Sequence, residues 1–339
     1  MIERIIKYSF IRLIIYLIIC GILLMFLNNI IGEKDKESTE KIVPTISELD
    51  VQKYNYELIN KVKLLHSKTG TVEEIYLDEY IVNVLAAEMP VDFHIEALKA
   101  QAIVARTYTL YKITKDKKHE IADICDNSNC CQAWISKDDR FIKWGEIDNN
   151  EKITNWNKLV LAVNETKGKY ITYNNEVINA FFHSNSSGKT AKAEEVWGGV
   201  LPYLAVVETS GEENYSSYLS EVKYKYDEFE NKLKTSFENF KIDLEKIDSI
   251  KILEHTESGR VKLIKIGNME FSGVEIRKLF NLKSTNFTVF KDGENIIFKV
   301  YGYGHGVGLS QTGSDALAKQ GYNDIDIIKH FYKNIEIHE

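Results

Sequence analysis

The alternation of apolar and polar positions divides the chain into one membrane-type run, a pair of helices, a series of strands and a helical end. Leu13 to Leu27 is uncharged and apolar and extends through Asn28 and Asn29 to Ile31, roughly the 20 residues that span a bilayer. Further on, "DEYIVNVLAAEMP" places Ile81, Val84, Leu85 and Glu88 at i, i+3, i+4 and i+7, one stripe of a helix that Asp78 would cap and Pro90 would end. A second helix from Asp92 carries Ile95, Leu98, Ala102, Ala105 and Thr109 on its apolar stripe, with Lys99 and Arg106 together on a cationic flank. Strand-like runs follow at "KYITYNNEVINAFFH", "PYLAVVE", "GRVKLIKIGNMEFSG" and "FTVFKDGENIIFKVYGYG", the last with a hairpin turn at "KDGEN". The helical segment "SDALAKQGYNDIDIIKHFYKN" closes the chain. Strands in runs with helices gathered at the ends predict an α+β fold, two-lobed with a substrate cleft, behind a single transmembrane helix.

Charge sets the orientation of that anchor. Arg4, Lys7 and Arg12 precede the apolar run, so the positive-inside tendency places the N-terminus in the cytoplasm and the rest outside. Residues 1–31 read as a cytoplasmic stub and anchor, 32–45 as a charged stalk containing "EKDKESTEK", and 46–339 as the ectodomain. The first 32 residues hold three basic and one acidic side chain, so the formal net charge of −7 becomes −9 for the remainder. That balance excludes a nucleic-acid binder, which would present a basic face.

One residue breaks the apolar logic. Glu88 ends an inward stripe, where a carboxyl must be paired, protonated or lining a cleft. Downstream, "HEIADICDNSNCCQAW" holds the three cysteines that follow the anchor, Cys125, Cys130 and Cys131. An odd number cannot all pair, and adjacent cysteines form a strained bridge. His119, Cys125 and Cys131, six residues apart, suit tetrahedral zinc, with Cys130 or water in the fourth position; a loop disulfide with one free thiol is the alternative. The Cys-x-x-Cys of zinc deaminases is missing, and His119 beside the cysteines does not open a His-x-Glu. "FFHSNSSGKT" ends like a phosphate loop but has His183 where the first glycine belongs. In "YGYGHGVGLSQTG", glycines at 302, 304, 306 and 308 strip side chains from one face of an extended segment around His305, which would let a ligand approach the backbone.

Taken in order, "DEYIVNVLAAEMP", "EALKAQAIVARTYTL", "HEIADIC" with "CCQAW", "FFHSNSSGKT", "VWGG" with "LPYL", and "GYGHGVGLSQTG" resemble the stage II sporulation protein D family of lytic transglycosylases, over nearly all of the chain after the stalk. The resemblance implies a membrane-anchored enzyme of sporulating bacteria that cuts the glycan strands of peptidoglycan during engulfment. Its substrate would be strands already stripped of peptide by a partner amidase, stage II sporulation protein P, with stage II sporulation protein M as a further partner. The family's catalytic Glu matches Glu88; substrate-contact positions match Lys99, Arg106, Ser184, Tyr203, His305 and Gln311; zinc positions match His119, Cys125 and Cys131. Many relatives have His at the place of Cys130, so the fourth ligand stays open. A single carboxyl acting as acid and then base would leave a 1,6-anhydro-muramic acid end. Two other classes remain, a zinc amidase and a non-catalytic wall-binding module.

Overall fold

The computed structural model describes residues 60–339, which lie within one compact unit, Thr45–Glu339. The anchor and stalk read from the sequence fall outside the described residues. Among those described, no helix is long and apolar enough to cross a membrane.

Strand β1 (Lys61–Leu65) pairs antiparallel with β2 (Val72–Tyr76) and parallel with the two-residue β3 (Ile124–Cys125). Between β2 and β3 run the two helices the periodicity predicts, α1 (Leu77–Glu88) and α2 (Ile95–Thr114). Both are buried on nearly every side, not along one stripe. Helix α2 is the centre of the fold: α1, α4 (Asn149–Asn164) and the two C-terminal helices pack on it, while α3 (Lys137–Lys143) packs on α1.

This central position corrects one element of the sequence reading. Asp78 does not cap α1; Tyr76 holds the N-cap position, and Asp78 in the first turn is buried. Its Oδ1 accepts from Arg106 Nη2 at 2.9 Å and Nε at 3.3 Å, so a buried ion pair joins α1 to α2 where the sequence placed Arg106 on a cationic flank.

The predicted strand run from Lys169 resolves into β4 (Tyr170–Tyr173), β5 (Glu176–Val177) and β6 (Phe182–His183). Asn174 and Asn175 turn the β4–β5 hairpin at φ 51° and 64°, the left-handed geometry that short hairpins favour. "PYLAVVE" forms no strand; its contact with the preceding loop is an isolated bridge between Lys189 and Glu208. The short helix α5 (Ala193–Trp197) sits between them.

Residues 229–300 build a hydrophobic cluster of their own, centred on Phe229, Phe280 and Phe298. Its elements are β7 (Leu219–Lys225), α6 (Tyr226–Ser236), β8 (Ile250–His255), β9 (Val261–Ile266), β10 (Met269–Ser272), α7 (Gly273–Leu279), β11 (Phe287–Asp292) and β12 (Asn295–Tyr301). They form the sheets β10-β9-β8 and β11-β12-β7, both antiparallel. The expected hairpin is present, with Gly293 at φ 56° between Asp292 and its partner Asn295. The chain then returns through β13 (Leu309–Ser310), parallel to β6, into α8 (Gln311–Lys319) and α9 (Asp324–Phe331), and ends in β14 (Glu336–His338) beside β4.

Candidate active site and metal centre

Glu88 is the last residue of α1, and its Oε1 accepts from the backbone N–H of Ala133 at 2.7 Å. Burial raises its carboxyl above the usual value of 4.5; the Ala133 bond and the side chain of Gln311 act in the opposite direction without cancelling it. Two hollows meet at this carboxyl. The larger, about 1000 Å³, is lined by Glu88, Ser184, Trp197, Arg277, His305 and Gln311 among others. The smaller, about 580 Å³, is lined by Glu88, Asp92, Ser184, Tyr215, Lys283 and Gln311 among others. Glu88, Ser184, Tyr303 and Gln311 belong to both, so a cleft passes the carboxyl on either side.

The Ser184 and Gln311 walls come from adjoining ends of the parallel β6–β13 pair. Gln311 Nε2 is buried with no hydrogen-bond partner of good geometry, a donor available to a ligand. Tyr332 Oη fixes the pair from behind: it donates to Phe181 O at 2.6 Å and accepts from Leu309 N at 3.3 Å.

His305 lines the cleft, but its polar edge is turned into the protein. Its Nδ1 accepts from Val307 N at 3.1 Å, and burial, followed by the nearby His183, Arg277 and Arg260, keeps it neutral far below the usual imidazole range. What it offers is a ring, 5.0 Å from that of Trp197, which in turn lies 4.6 Å from Phe181. An aromatic wall with Trp197 half exposed suits the apolar face of a sugar. Of the glycines around His305, Gly304 lines the larger hollow, whereas Gly306 and Gly308 do not open a face to a ligand. A Cβ at Gly308 would stand 1.9 Å from Phe181 O and one at Gly306 would stand 2.3 Å from Arg260 Nη2; protein atoms fill the space beside them, and both have positive φ.

Three expected substrate contacts lie elsewhere. Arg106 is fully buried, and beyond Asp78 it donates from Nη1 to Thr166 O and Lys169 O, at 2.8 and 3.2 Å. Its role is therefore corrected from substrate contact to internal brace. Lys99 Nζ pairs with Glu96 at 2.8 Å and Glu165 at 3.2 Å and lines neither hollow. Tyr203 is buried and its hydroxyl accepts from Asn179 N at 3.2 Å, supporting a residue of the cleft wall from behind.

Across the cleft, His119, Cys125, Cys130 and Cys131 bring one ligand atom each within 4.8 Å of one another. Cys130 and Cys131 Sγ stand 3.7 and 3.6 Å from His119 Nε2, and 3.9 Å from each other. A tetrahedral zinc with Zn–S bonds of about 2.3 Å needs ligand separations of about 3.8 Å. The donor set therefore fits, with the Cys130 sulfur placed as a fourth donor atom beside the other three. All three cysteines are free thiols. Without a cation, burial pushes the Cys131 thiol up to about 12; such a sulfur becomes a thiolate only beside positive charge. Cys130 and Cys131 also line the larger hollow, and the Cys131-Gln132-Ala133 run carries the cluster directly to the N–H that holds Glu88.

Sequence reasoning missed Glu212, which in "ETSGEEN" looks like a solvated loop acid. It is fully buried. Its Oε1 accepts from Ser186 N at 3.0 Å, Ser186 Oγ at 3.2 Å, Thr312 Oγ1 at 3.0 Å and Ser310 Oγ; its Oε2 accepts from Gly188 N at 3.0 Å and Thr209 Oγ1 at 2.5 Å. One carboxylate thus ties the loop after Ser184 to the residues flanking Gln311.

The site thus sets a half-buried carboxyl where two hollows meet, with a thiol–imidazole cluster beside it, and the sequence relationships give its family. Residues 65–173 match the family model described as "Stage II sporulation protein", and residues 203–308 match a domain of unknown function. The chain is 34% identical to stage II sporulation protein D of Bacillus amyloliquefaciens over 283 residues, 82% of this chain and 78% of that protein. It is 34% identical to stage II sporulation protein D of Bacillus subtilis over 280 residues, 82% of this chain and 79% of that protein. It is also 29% identical to the amidase enhancer of Bacillus subtilis over 300 residues, which covers 39% of that protein. The chain belongs to the stage II sporulation protein D family.

Proposed function

We propose that this sporulation protein is a lytic transglycosylase that cuts peptide-stripped glycan strands of peptidoglycan during engulfment, with Glu88 as its single acid and base. The observation that carries this reading is the carboxyl of Glu88 at the junction of the two hollows, held towards its protonated form by burial. A strand lying through the cleft presents a glycosidic oxygen to Glu88, which protonates it as the bond to C1 breaks. The resulting carboxylate takes the proton of the muramic acid 6-hydroxyl, whose oxygen closes on C1. Ala133 N–H fixes the carboxyl and stabilises its ionised state between the two proton transfers. Trp197 and His305 stack on sugar faces, while Ser184 and Gln311 supply hydrogen bonds.

Zinc would be held by His119, Cys125, Cys130 and Cys131. Four protein ligands leave no open position for water, which favours a structural metal and weighs against a zinc amidase. In this reading residues 13–31 anchor the enzyme with its catalytic part outside the membrane, beside the stage II sporulation proteins P and M as partners.

Mass analysis of products released from purified glycan strands tests the reaction. The expected end is 1,6-anhydro-muramic acid, about 18 Da lighter than a hydrated end, and Glu88→Gln should abolish it. Asp92 lines the same smaller hollow as Glu88; a hydrated terminus as the main product would show a water-using glycosidase in place of the transglycosylase. Undiminished lysis by Glu88→Gln would remove Glu88 from the chemistry.

A further inference from the structure

The cations that the sequence offers to an anionic strand, Lys99 and Arg106, are both spent on carboxylates within the fold. The larger hollow has a different arginine. Arg277, in the last turn of α7, lines it together with Glu88, Ser184, His305 and Gln311. It is half-buried. Among the described residues its hydrogen bonding is confined to Nε, which donates to Leu282 O at 3.3 Å. No carboxylate among them lies within ion-pair distance, so both terminal nitrogens of the guanidinium are left to the hollow.

The surroundings make this arrangement costly without a ligand. Burial lowers the Arg277 pKa, with the Tyr303 hydroxyl the neighbour that acts against it. Arg260 adds a second buried guanidinium whose positive charge, like that of Arg277, bears on His183 and His305. His183 is itself driven down to about 3 by burial and then by Arg260, and its Nε2 is buried without a partner. The group that relieves such a site is an anion with planar oxygens that match the guanidinium fork, a carboxylate.

We propose that Arg277 is the carboxylate-recognising residue of the cleft, binding the lactyl carboxylate that muramic acid exposes once its peptide has been removed. This rests on the glycan-strand reading given above and gives it a basis for selecting stripped strands: a peptide-bearing muramic acid carries an amide at that point and offers no charge. It also assigns a task to residues 203–308, matched only as a domain of unknown function: they deliver a specificity residue to a carboxyl carried by α1.

Binding is measured in the Glu88→Gln background, where no strand is cut, with two probes. One is a muropeptide-free oligosaccharide of alternating N-acetylglucosamine and N-acetylmuramic acid; the other is the same oligosaccharide with its carboxylates converted to methyl amides. The parent should bind the free acid more tightly by about tenfold or more, the size expected of a charge-assisted pair. Arg277→Gln should erase that preference by weakening the acid while leaving the amide within about twofold. Arg277→Lys should retain part of it, since the charge remains and the fork is lost. Thermal unfolding of each variant at the parental temperature establishes that the fold is intact. A preference that survives Arg277→Gln, or equal weakening of both probes, would overturn the assignment. Equal binding of both probes by the parent sinks the recognition of the carboxylate alone, whereas failure to bind either sinks the glycan reading itself.

Discussion

Replacing Glu212 by Gln exchanges one acceptor oxygen for an NH2 group in a site built from donors. Two of its six partners are backbone N–H groups, which cannot reverse direction: Ser186 N on Oε1 and Gly188 N on Oε2. Whichever way the amide turns, it faces one of them, and that donor is orphaned at a cost of about 1–3 kcal/mol. The bonds that remain lose their ionic character, about 1 kcal/mol for each of the two or three that hold good geometry. The sum, about 3–6 kcal/mol, is a large part of the roughly 5–15 kcal/mol that holds a domain folded. Because Ser186 follows the cleft residue Ser184, and Ser310 and Thr312 flank Gln311, the damage is local before it is global. Denaturant titration should show a lower midpoint at unchanged slope, and steady-state cleavage of stripped glycan should show a raised KM in the fraction still folded. A Glu212→Gln chain within about 1 kcal/mol of the parent and with parental kinetics would refute the idea that this carboxylate holds the cleft together.

The remaining predictions follow from the same geometry. Glu88 has its folded pKa raised above 4.5, so it contributes stability at low pH that is lost as pH rises through the raised value. Glu88→Gln should therefore gain on the parent across that window and keep a constant lead above it, as denaturation at a series of pH values would show; a constant difference at all pH values would contradict the burial argument. Cleavage should decline over the same rise, as the acid form disappears. Arg106→Ala removes the guanidinium that Asp78 pairs with in the interior and should cost about 3–5 kcal/mol in unfolding free energy; loss of glycan affinity at parental stability would restore Arg106 to the cleft. Cys125→Ser, Cys130→Ser and Cys131→Ser should each lower zinc content and melting temperature together, because metal binding is also folding free energy. Full zinc retention by Cys130→Ser, read by elemental analysis, would return the fourth position to water.

What could be read from sequence was set by how local the causes were. Glu88 stood out because its four-residue stripe shares one helix, and the thiol–imidazole cluster because its ligands fall between residues 119 and 131. Arg106 misled because a helical stripe distinguishes faces of a helix packed on one side, whereas α2 is surrounded. His305 was visible as a residue, but not the direction of its ring nitrogens, which depends on Val307. Glu212 and Arg277 left no trace. The donors of Glu212 come from residues 186, 188, 209, 310 and 312, and Arg277 enters the cleft from an α7 whose own pattern is that of an ordinary capped helix.

The hydroxyl of Tyr332 has a consequence for the order in which the cleft comes to exist. It joins Phe181 to Leu309, and with them the strand ends that carry Ser184 and Gln311. A chain still being synthesised has Glu88, the thiols and the aromatic wall long before it has this clasp. Tyr332 reinforces a register that Leu309 N and Phe181 O, bonded at 3.1 Å, already share, and this last brace on the cleft wall arrives only with residue 332. A chain that stops short of Tyr332 would carry Glu88 and the thiols but lack the hydroxyl that braces the strand ends beside them.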